Sequence, residues 1–304
     1  MKIYFNRRPV HGPWGGGSKV LTAIVDECLL RNHEVFFEED IHKQIEFNIL
    51  FCIDPRANQF VDYRHLLNHK LKFKNSKFIQ RIGDLGTHGK PELLNALKQI
   101  VRFPDVIIFP SVWAKNYLNL ESEKSIIIPN APLKQFIVGR QNKILSKEFK
   151  IVSHHWSNNA LKGFDIYKKL DDYCVITNKS SFTFVGRKPD DISLTNYIPP
   201  QDVDGLVSIL PKHDVYITAS KQEAGANHVL EALALGLPVL YHKDGGSINE
   251  YCQDFGIAYE TFEDLVDIIE NKKEKLQDIS NKMVYRRSSK DMAEEYVNLF
   301  ERIS

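Results

Sequence analysis

The sequence predicts an α/β protein made of two doubly wound, parallel-sheet domains in tandem. Three observations carry that expectation. A chain of 304 residues is too long for one ordinary core and suits two. Short apolar runs rich in Val, Ile and Phe alternate with helical patterns, as parallel strands joined by crossover helices require. The alternation then pauses at a polar connector over 139–147 and starts again, which divides the chain into domains over 1–145 and 146–304.

In the first half, strands are expected over 3–5, 34–37, 47–53, 77–82, 106–109 and 126–128. Helical periodicity lies between them, over 18–31, 61–70, 91–101 and 112–120. The second half repeats the scheme with strands over 149–153, 181–185, 215–218 and 239–242, and helices near 163–170, 203–210, 227–235 and 261–269. The tail over 288–303 spaces Met292, Tyr296, Leu299, Phe300 and Ile303 along one helical face, so it must pack on something, and a return to the first domain is expected.

Composition narrows the function. Hydrophobic residues at 43% and charged residues at 26% match a globular average and exclude a disordered or fibrous chain. A formal charge of +1 supplies no field to hold a nucleic-acid backbone, so DNA and RNA are not expected partners. Cys28, Cys52, Cys174 and Cys252 lie far apart, without zinc-ligand spacing, and read as small core residues of a reducing compartment. Met1-Lys2 runs straight into an apolar strand, with no apolar leader and no apolar run near ~20 residues, so a cytoplasmic location is expected. Lysine clusters at Lys70, Lys72, Lys74 and Lys77, and at Lys272, Lys273 and Lys275, admit peripheral association with a membrane face, although solvated helix surfaces explain both.

Ligands of doubly wound sheets bind beyond the carboxyl ends of the strands, so the chemistry is expected on strand-to-helix loops. The strongest such segment runs from Thr218 to Val239. A strand ends near Thr218, a loop carries Glu223 and Gly225, and a helix begins near Asn227 and stops at Gly236, a good C-cap residue. The start of such a helix presents amides and a positive dipole end to phosphate oxygens, and the small residues Gly225 and Ala226 let a ligand approach the backbone. Glu223 before the first turn and Glu231 one turn inside are two acceptors at different depths, an arrangement that suits a diphosphate with hydroxyls on both flanks. The alternative reading of the same pair is a dipole-favoured surface charge and a solvated helix residue.

Glu223 followed by seven residues and Glu231, then Ala232-Leu233-Ala234-Leu235-Gly236-Leu237-Pro238-Val239, resembles the E-x7-E signature of retaining GT-B glycosyltransferases, in particular glycosyltransferase family 4. Further matches follow in family order: a glycine-rich loop after the first strand, Pro129-Asn130, Lys162-Gly163, Phe184-Val185-Gly186, and Gly245-Gly246 followed by Glu250. The resemblance is dense over 149–259 and thin before 130, as expected if the first domain binds a variable acceptor. It implies two Rossmann-like domains facing a cleft, with an acceptor-side N-terminal domain and a donor-binding C-terminal one. It also implies transfer of a sugar from a nucleotide-diphosphate donor, such as a UDP- or GDP-sugar, to a hydroxyl of a glycan or lipid-linked acceptor. Anomeric configuration would be retained, without cofactor or metal.

By the resemblance Glu231 binds the ribose hydroxyls, Glu223 meets the donor sugar, Gly225, Ala226 and Asn227 face the donor, and Lys162 holds the diphosphate. Where many members carry an arginine about five residues ahead of this lysine, the chain has Ser157. Ser157 and Asn158 would then supply neutral hydrogen bonds, or Arg187 the charge. The loop Glu223-Ala224-Gly225-Ala226-Asn227 also departs from the commoner E-G-F-G form, which leaves the sugar unassigned. In the first domain Gly15, Gly16 and Gly17 give a flexible backbone able to close on a diphosphate. Asn130 is expected at the domain crossing. Arg81, Asp84 and His88 follow a strand end, and the resemblance carries a histidine near the donor sugar to His88, with Asp84 able to take a proton or orient a hydroxyl; a turn role before Gly86 is the other reading of Asp84. Two alternatives stand beside the transferase: a nucleotide-sugar epimerase in the same shell, which would convert donor without acceptor, and a catalytically silent nucleotide-sugar-binding protein.

Overall fold

Each half of the chain builds a six-stranded, all-parallel sheet in the computed structural model, which describes residues 1–10, 16–119, 123–137 and 143–304. The first half runs β1 (Lys2–Phe5), α1 (Gly16–Leu30), β2 (Glu34–Phe37), β3 (Ile49–Cys52), α2 (Tyr63–Lys72), β4 (Lys77–Arg81), α3 (Pro91–Ile100), β5 (Val106–Phe109), α4 (Val112–Tyr117) and β6 (Ser125–Ile127). Its strand order is β2-β1-β3-β4-β5-β6.

The second half runs β7 (Phe149–His155), α5 (Phe164–Thr177), β8 (Ser180–Gly186), β9 (Asn196–Ile198), α6 (Val203–Ile209), β10 (Val215–Thr218), α7 (Asn227–Ala234), β11 (Val239–His242), α8 (Ser247–Cys252), β12 (Gly256–Tyr259), α9 (Phe262–Asn271) and α10 (Lys273–Lys282). Its order is β12-β11-β10-β7-β8-β9. Period-two alternation sends neighbouring residues of one strand to opposite faces. Val152, Val185 and Tyr216 pack with Val229, Leu230 and Leu233 of α7, whereas Ile151, Phe184 and Ile217 pack with Phe164, Tyr167 and Leu170 of α5. Both faces are covered by helices, the condition for an all-parallel sheet. The two Rossmann-like sheets are the architecture of the GT-B fold.

Two compact units result, Met1–Asn130 with Ser289–Ser304, and Ala131–Ser288. The first thus ends at Asn130, ahead of the division expected at 145. The reason lies in packing: Phe136 is buried among Val152, Leu210 and Tyr216, Leu145 joins the opposite face, and Lys143 donates to the carbonyl of Pro211 at 2.9 Å. The last helix, α11 (Ser289–Ile303), belongs to the first unit and packs on α1. Phe51 of β3 meets the rings of Tyr296 and Phe300 with centroids 5.9 and 5.5 Å apart, and Arg31 donates to Asn298 at 2.6 Å and pairs with Glu301 at 3.1 Å. Burying each of these aromatic rings is worth ~1.5 to 3 kcal/mol.

The expected elements form, with four additions. β9 is a three-residue, largely exposed edge strand, and β12 opens on Gly256, whose added Cβ would lie 2.2 Å from the Val239 carbonyl oxygen. α8 is a single short turn and a half, and α10 buries only Leu276 and Ser280, so neither carries an apolar period. α5 also runs on to Thr177, because Tyr167, Leu170 and Cys174 keep one buried stripe through the polar Asp171-Asp172. Among the described residues no helix is long and apolar enough to cross a membrane.

Arg81 is buried with Nε donating to the Tyr296 hydroxyl at 3.1 Å and Nη2 to Asn130 Oδ1 at 2.8 Å. Tyr296→Phe removes an acceptor from a buried guanidinium, and urea denaturation should show a loss of about 1 to 3 kcal/mol; an unchanged midpoint would mean that α11 docks by its apolar face alone.

Candidate functional site

In the second sheet the chain winds outward in both directions from β7, so the order reverses between β7 and β10. A crevice at the carboxyl ends of the strands opens at such a switch point. The loops that leave these two strands, with α7 behind the second, carry the predicted residues of this unit except Arg187, which follows β8.

The loop after β7 turns through a short 3-10 segment, Ala160–Lys162, whose start is fixed by Asn159 Oδ1 accepting from the Leu161 amide at 2.9 Å. Gly163 follows at φ +75°, and a Cβ there would lie 2.4 Å from Ala219 Cβ and 2.5 Å from Ala219 O. Only glycine lets the two loops approach this closely. The Lys221 amide donates to the Leu161 carbonyl at 2.9 Å, and the Ala219 amide donates to the Tyr167 hydroxyl at 3.0 Å. Tyr167 in turn shares a 2.5 Å hydrogen bond with His155 Nε2, and burial pushes its phenol up to about 12.

The loop after β10 is held from the other side. Gln222, at φ +53°, donates to the Asp244 carbonyl at 2.8 Å, the Glu223 amide to Gly245 at 3.1 Å, and the Ser247 amide to the Glu223 carbonyl at 2.9 Å. Gly246, at φ +72°, makes the turn that pairs with Glu223. With both loops fixed, Lys162 Nζ pairs with Glu223 Oε1, and their side chains are only 11% and 13% exposed.

Beyond Glu223, α7 starts at Asn227 without a side-chain cap from Ala226. The first amides of a helix have no intrahelical acceptor and carry the positive dipole end. Asn227 Oδ1 is buried without a hydrogen-bond partner among the described residues. The helix closes on Gly236 at φ +78°, where Leu237 N donates to Ala232 O at 3.1 Å and Gly236 N to Leu233 O at 3.0 Å, a Schellman cap.

Helical spacing puts His228 and Glu231 on the sheet-facing side of α7. Glu231 is only 3% exposed, and its Oε2 accepts from His154 Nε2 at 2.8 Å. That burial corrects the alternative of a solvated helix residue, since a carboxyl removed from water needs such a partner. His154 faces α7 while its neighbour His155 faces α5, as strand alternation dictates. His228 meets Thr218 Oγ1 at 3.1 Å and packs edge-on against His155, centroids 4.6 Å apart. Burial, then the Lys162 ammonium, push the His228 imidazole down to about 3, so it is neutral at physiological pH.

Thus Lys162, Glu223, Gly225, Ala226, Asn227 and Glu231 gather at one end of β7 and β10. Ser157 stays within its own loop, accepting from the Asn159 amide at 3.2 Å. Arg187 is exposed, with its guanidinium 4.1 Å from the ring centre of Trp156. The remaining candidates belong to the first unit. Gly16 and Gly17 open α1, and Gly15 lies outside the described residues. Asp84 accepts from the Gly86 amide at 2.8 Å and pairs with Lys90 at 2.5 Å; His88 is half-buried in the same loop. Asn130 is buried against Arg81.

Sequence reasoning did not single out His154, His155, His228, Thr218 and Tyr167 as a supporting network. The available signal was strand parity: His154 and Thr218 share the face toward α7, and His155 the face toward α5.

No protein-family model and no curated protein matches the chain. Solved structures do match its fold. The Anabaena protein Alr3699/HepE, solved in complex with UDP, aligns at 13% identity over 99% of each chain with a TM-score of 0.69. WaaG, a glycosyltransferase involved in lipopolysaccharide biosynthesis, aligns at 12% over 99% of each chain with a TM-score of 0.67. Sucrose-phosphate synthase from Thermosynechococcus elongatus aligns at 13% over 100% of this chain and 99% of its own, also at 0.67. At such low identity the likeness establishes the fold they share.

Two outcomes follow from this geometry. Gly163→Ala adds a methyl against Ala219 in left-handed backbone and should cost about 2 to 5 kcal/mol in urea denaturation; a neutral substitution would contradict the close approach. His228 titrates near 6.5 when unfolded but near 3 when folded, so between those values the unfolded chain binds more protons and acidification favours unfolding. Stability should therefore fall more steeply from pH 6.5 to 5 in the wild type than in His228→Gln; parallel profiles would place His228 in water.

Proposed function

We propose that the protein is a glycosyltransferase that moves a sugar from a nucleotide-diphosphate donor to a hydroxyl of a glycan or lipid-linked acceptor, with retention at the anomeric carbon. The observation that carries the reading is the assembly of Lys162, Glu223, the start of α7 and Glu231 at the switch point of one sheet. A cation and a helix start face one locus, as a diphosphate requires. Glu223, in the loop before α7, and Glu231, inside it, are the acceptors for sugar and ribose hydroxyls. The UDP in the Anabaena structure and the lipopolysaccharide role of WaaG, both on this fold, support the donor and acceptor classes.

In this reading catalysis is mainly stabilisation of the departing diphosphate by Lys162 and the α7 amides. The diphosphate oxygen that leaves then takes the acceptor proton on the same face of the sugar. His228, held neutral, adds no charge that would compete with Lys162 for the anion. Asp84, His88, Asn130 and the Gly15 to Gly17 segment enter the proposal as the first domain's contribution to donor and acceptor binding.

A thermal-shift screen with UDP, GDP and ADP identifies the base, and transfer by the full chain is then followed with the corresponding nucleotide sugar. Lys162→Ala should lower turnover by a factor on the order of 100 to 1000, the effect of losing one preorganised donor to developing charge, about 2.7 to 4 kcal/mol. Wild-type turnover in that variant would overturn the clamp, and formation of a new nucleotide sugar from donor alone would make the protein an epimerase.

A further inference from the structure

Lys162 and Glu223 come from different loops, yet each is the other's ion-pair partner, with little solvent around either. Resting on the donor reading above, this contact has a consequence for ligand release. The group meant for the diphosphate and the group meant for the sugar neutralise each other when the site holds neither. Their backbones cannot retreat: Gly163 is pressed against Ala219, and Glu223 is bonded on both its amide and carbonyl to the loop over Gly245 to Ser247. Only the side chains can exchange partners.

We propose that Glu223 is the residue that separates the intact donor from the spent nucleoside diphosphate. With the whole donor bound, sugar hydroxyls donate to Glu223 and replace the ammonium, so Lys162 is released to the diphosphate while the carboxylate stays satisfied. Once the sugar has left, Glu223 has lost those donors. Its carboxylate is then left beside a dianion or trianion, where like charges at low exposure repel strongly, and re-forming the ion pair with Lys162 relieves that repulsion. Taking Lys162 back strips the diphosphate of its cation. The pair is thus an internal competitor for the leaving group, and the energy of re-forming it is spent on product release.

Calorimetric titration of the full chain with UDP, GDP and ADP, and with the nucleotide sugar of the responding base, tests this. Glu223→Gln keeps the shape and removes the charge, and it should bind the nucleoside diphosphate about tenfold more tightly than the wild type while binding the nucleotide sugar no better. The gain should vanish when Lys162→Met is added, because no cation remains to compete for. Should Glu223→Gln fold poorly by circular dichroism, Glu223→Ala carries the same expected sign. Diphosphate affinity unchanged or weakened by loss of the Glu223 charge overturns the inference and leaves the donor reading intact. Failure of the wild type and every variant to bind any of the three diphosphates overturns both.

Discussion

The candidate site depends on one contact, the backbone of Gly163 against the end of β10 at Ala219. A side chain at 163 would collide with Ala219 at 2.4 Å and would sit in left-handed backbone besides. With glycine there, the loop after β7 and the loop after β10 share hydrogen bonds, and Tyr167 ties the start of α5 to the Ala219 amide. Lys162 and Glu223, 61 residues apart in sequence, meet because the backbones that carry them have no other place to go.

Beneath that contact lies a layer of polar groups that a sheet interior tolerates only when they are paired. Strand parity supplies the pairing. His154 reaches Glu231 across the α7 face, Thr218 reaches His228 on the same face, and His155 reaches Tyr167 on the other. Breaking any one of these pairs would leave a buried polar atom without its partner, at a cost of about 1 to 3 kcal/mol. The layer therefore fixes the orientation of α7, and with it the direction in which its first amides point.

Much of this was legible in the chain itself. The strands at 106–109, 215–218 and 239–242 appear where the apolar runs lie, because buried parallel strands have no other composition available to them. The placement of Glu223 before a helix start, of Glu231 inside that helix and of Lys162 beside a glycine was legible in the spacing, whereas the roles given to them come from the resemblance. The supporting histidines were not, since His154-His155 in a linear text looks like a pair of neighbours, and only pairing of β7 with β8 and β10 sends them to separate faces. Asn130 read as a residue of the domain crossing, and its side chain accepts from the buried Arg81. A polar stretch such as 139–147 marks where the chain is exposed, whereas the compact units follow the burial of Phe136 and Leu145 with residues of the second sheet.

The proposed function requires a diphosphate between the Lys162 ammonium and the first amides of α7. A crystal structure of the full chain with the nucleoside diphosphate that stabilises it tests this most directly. Phosphate oxygens are expected within hydrogen-bond distance of Lys162 Nζ and of the amides at the start of α7, with the ribose beside Glu231. A nucleotide bound elsewhere on the chain, with the Lys162–Glu223 pair undisturbed, would contradict it.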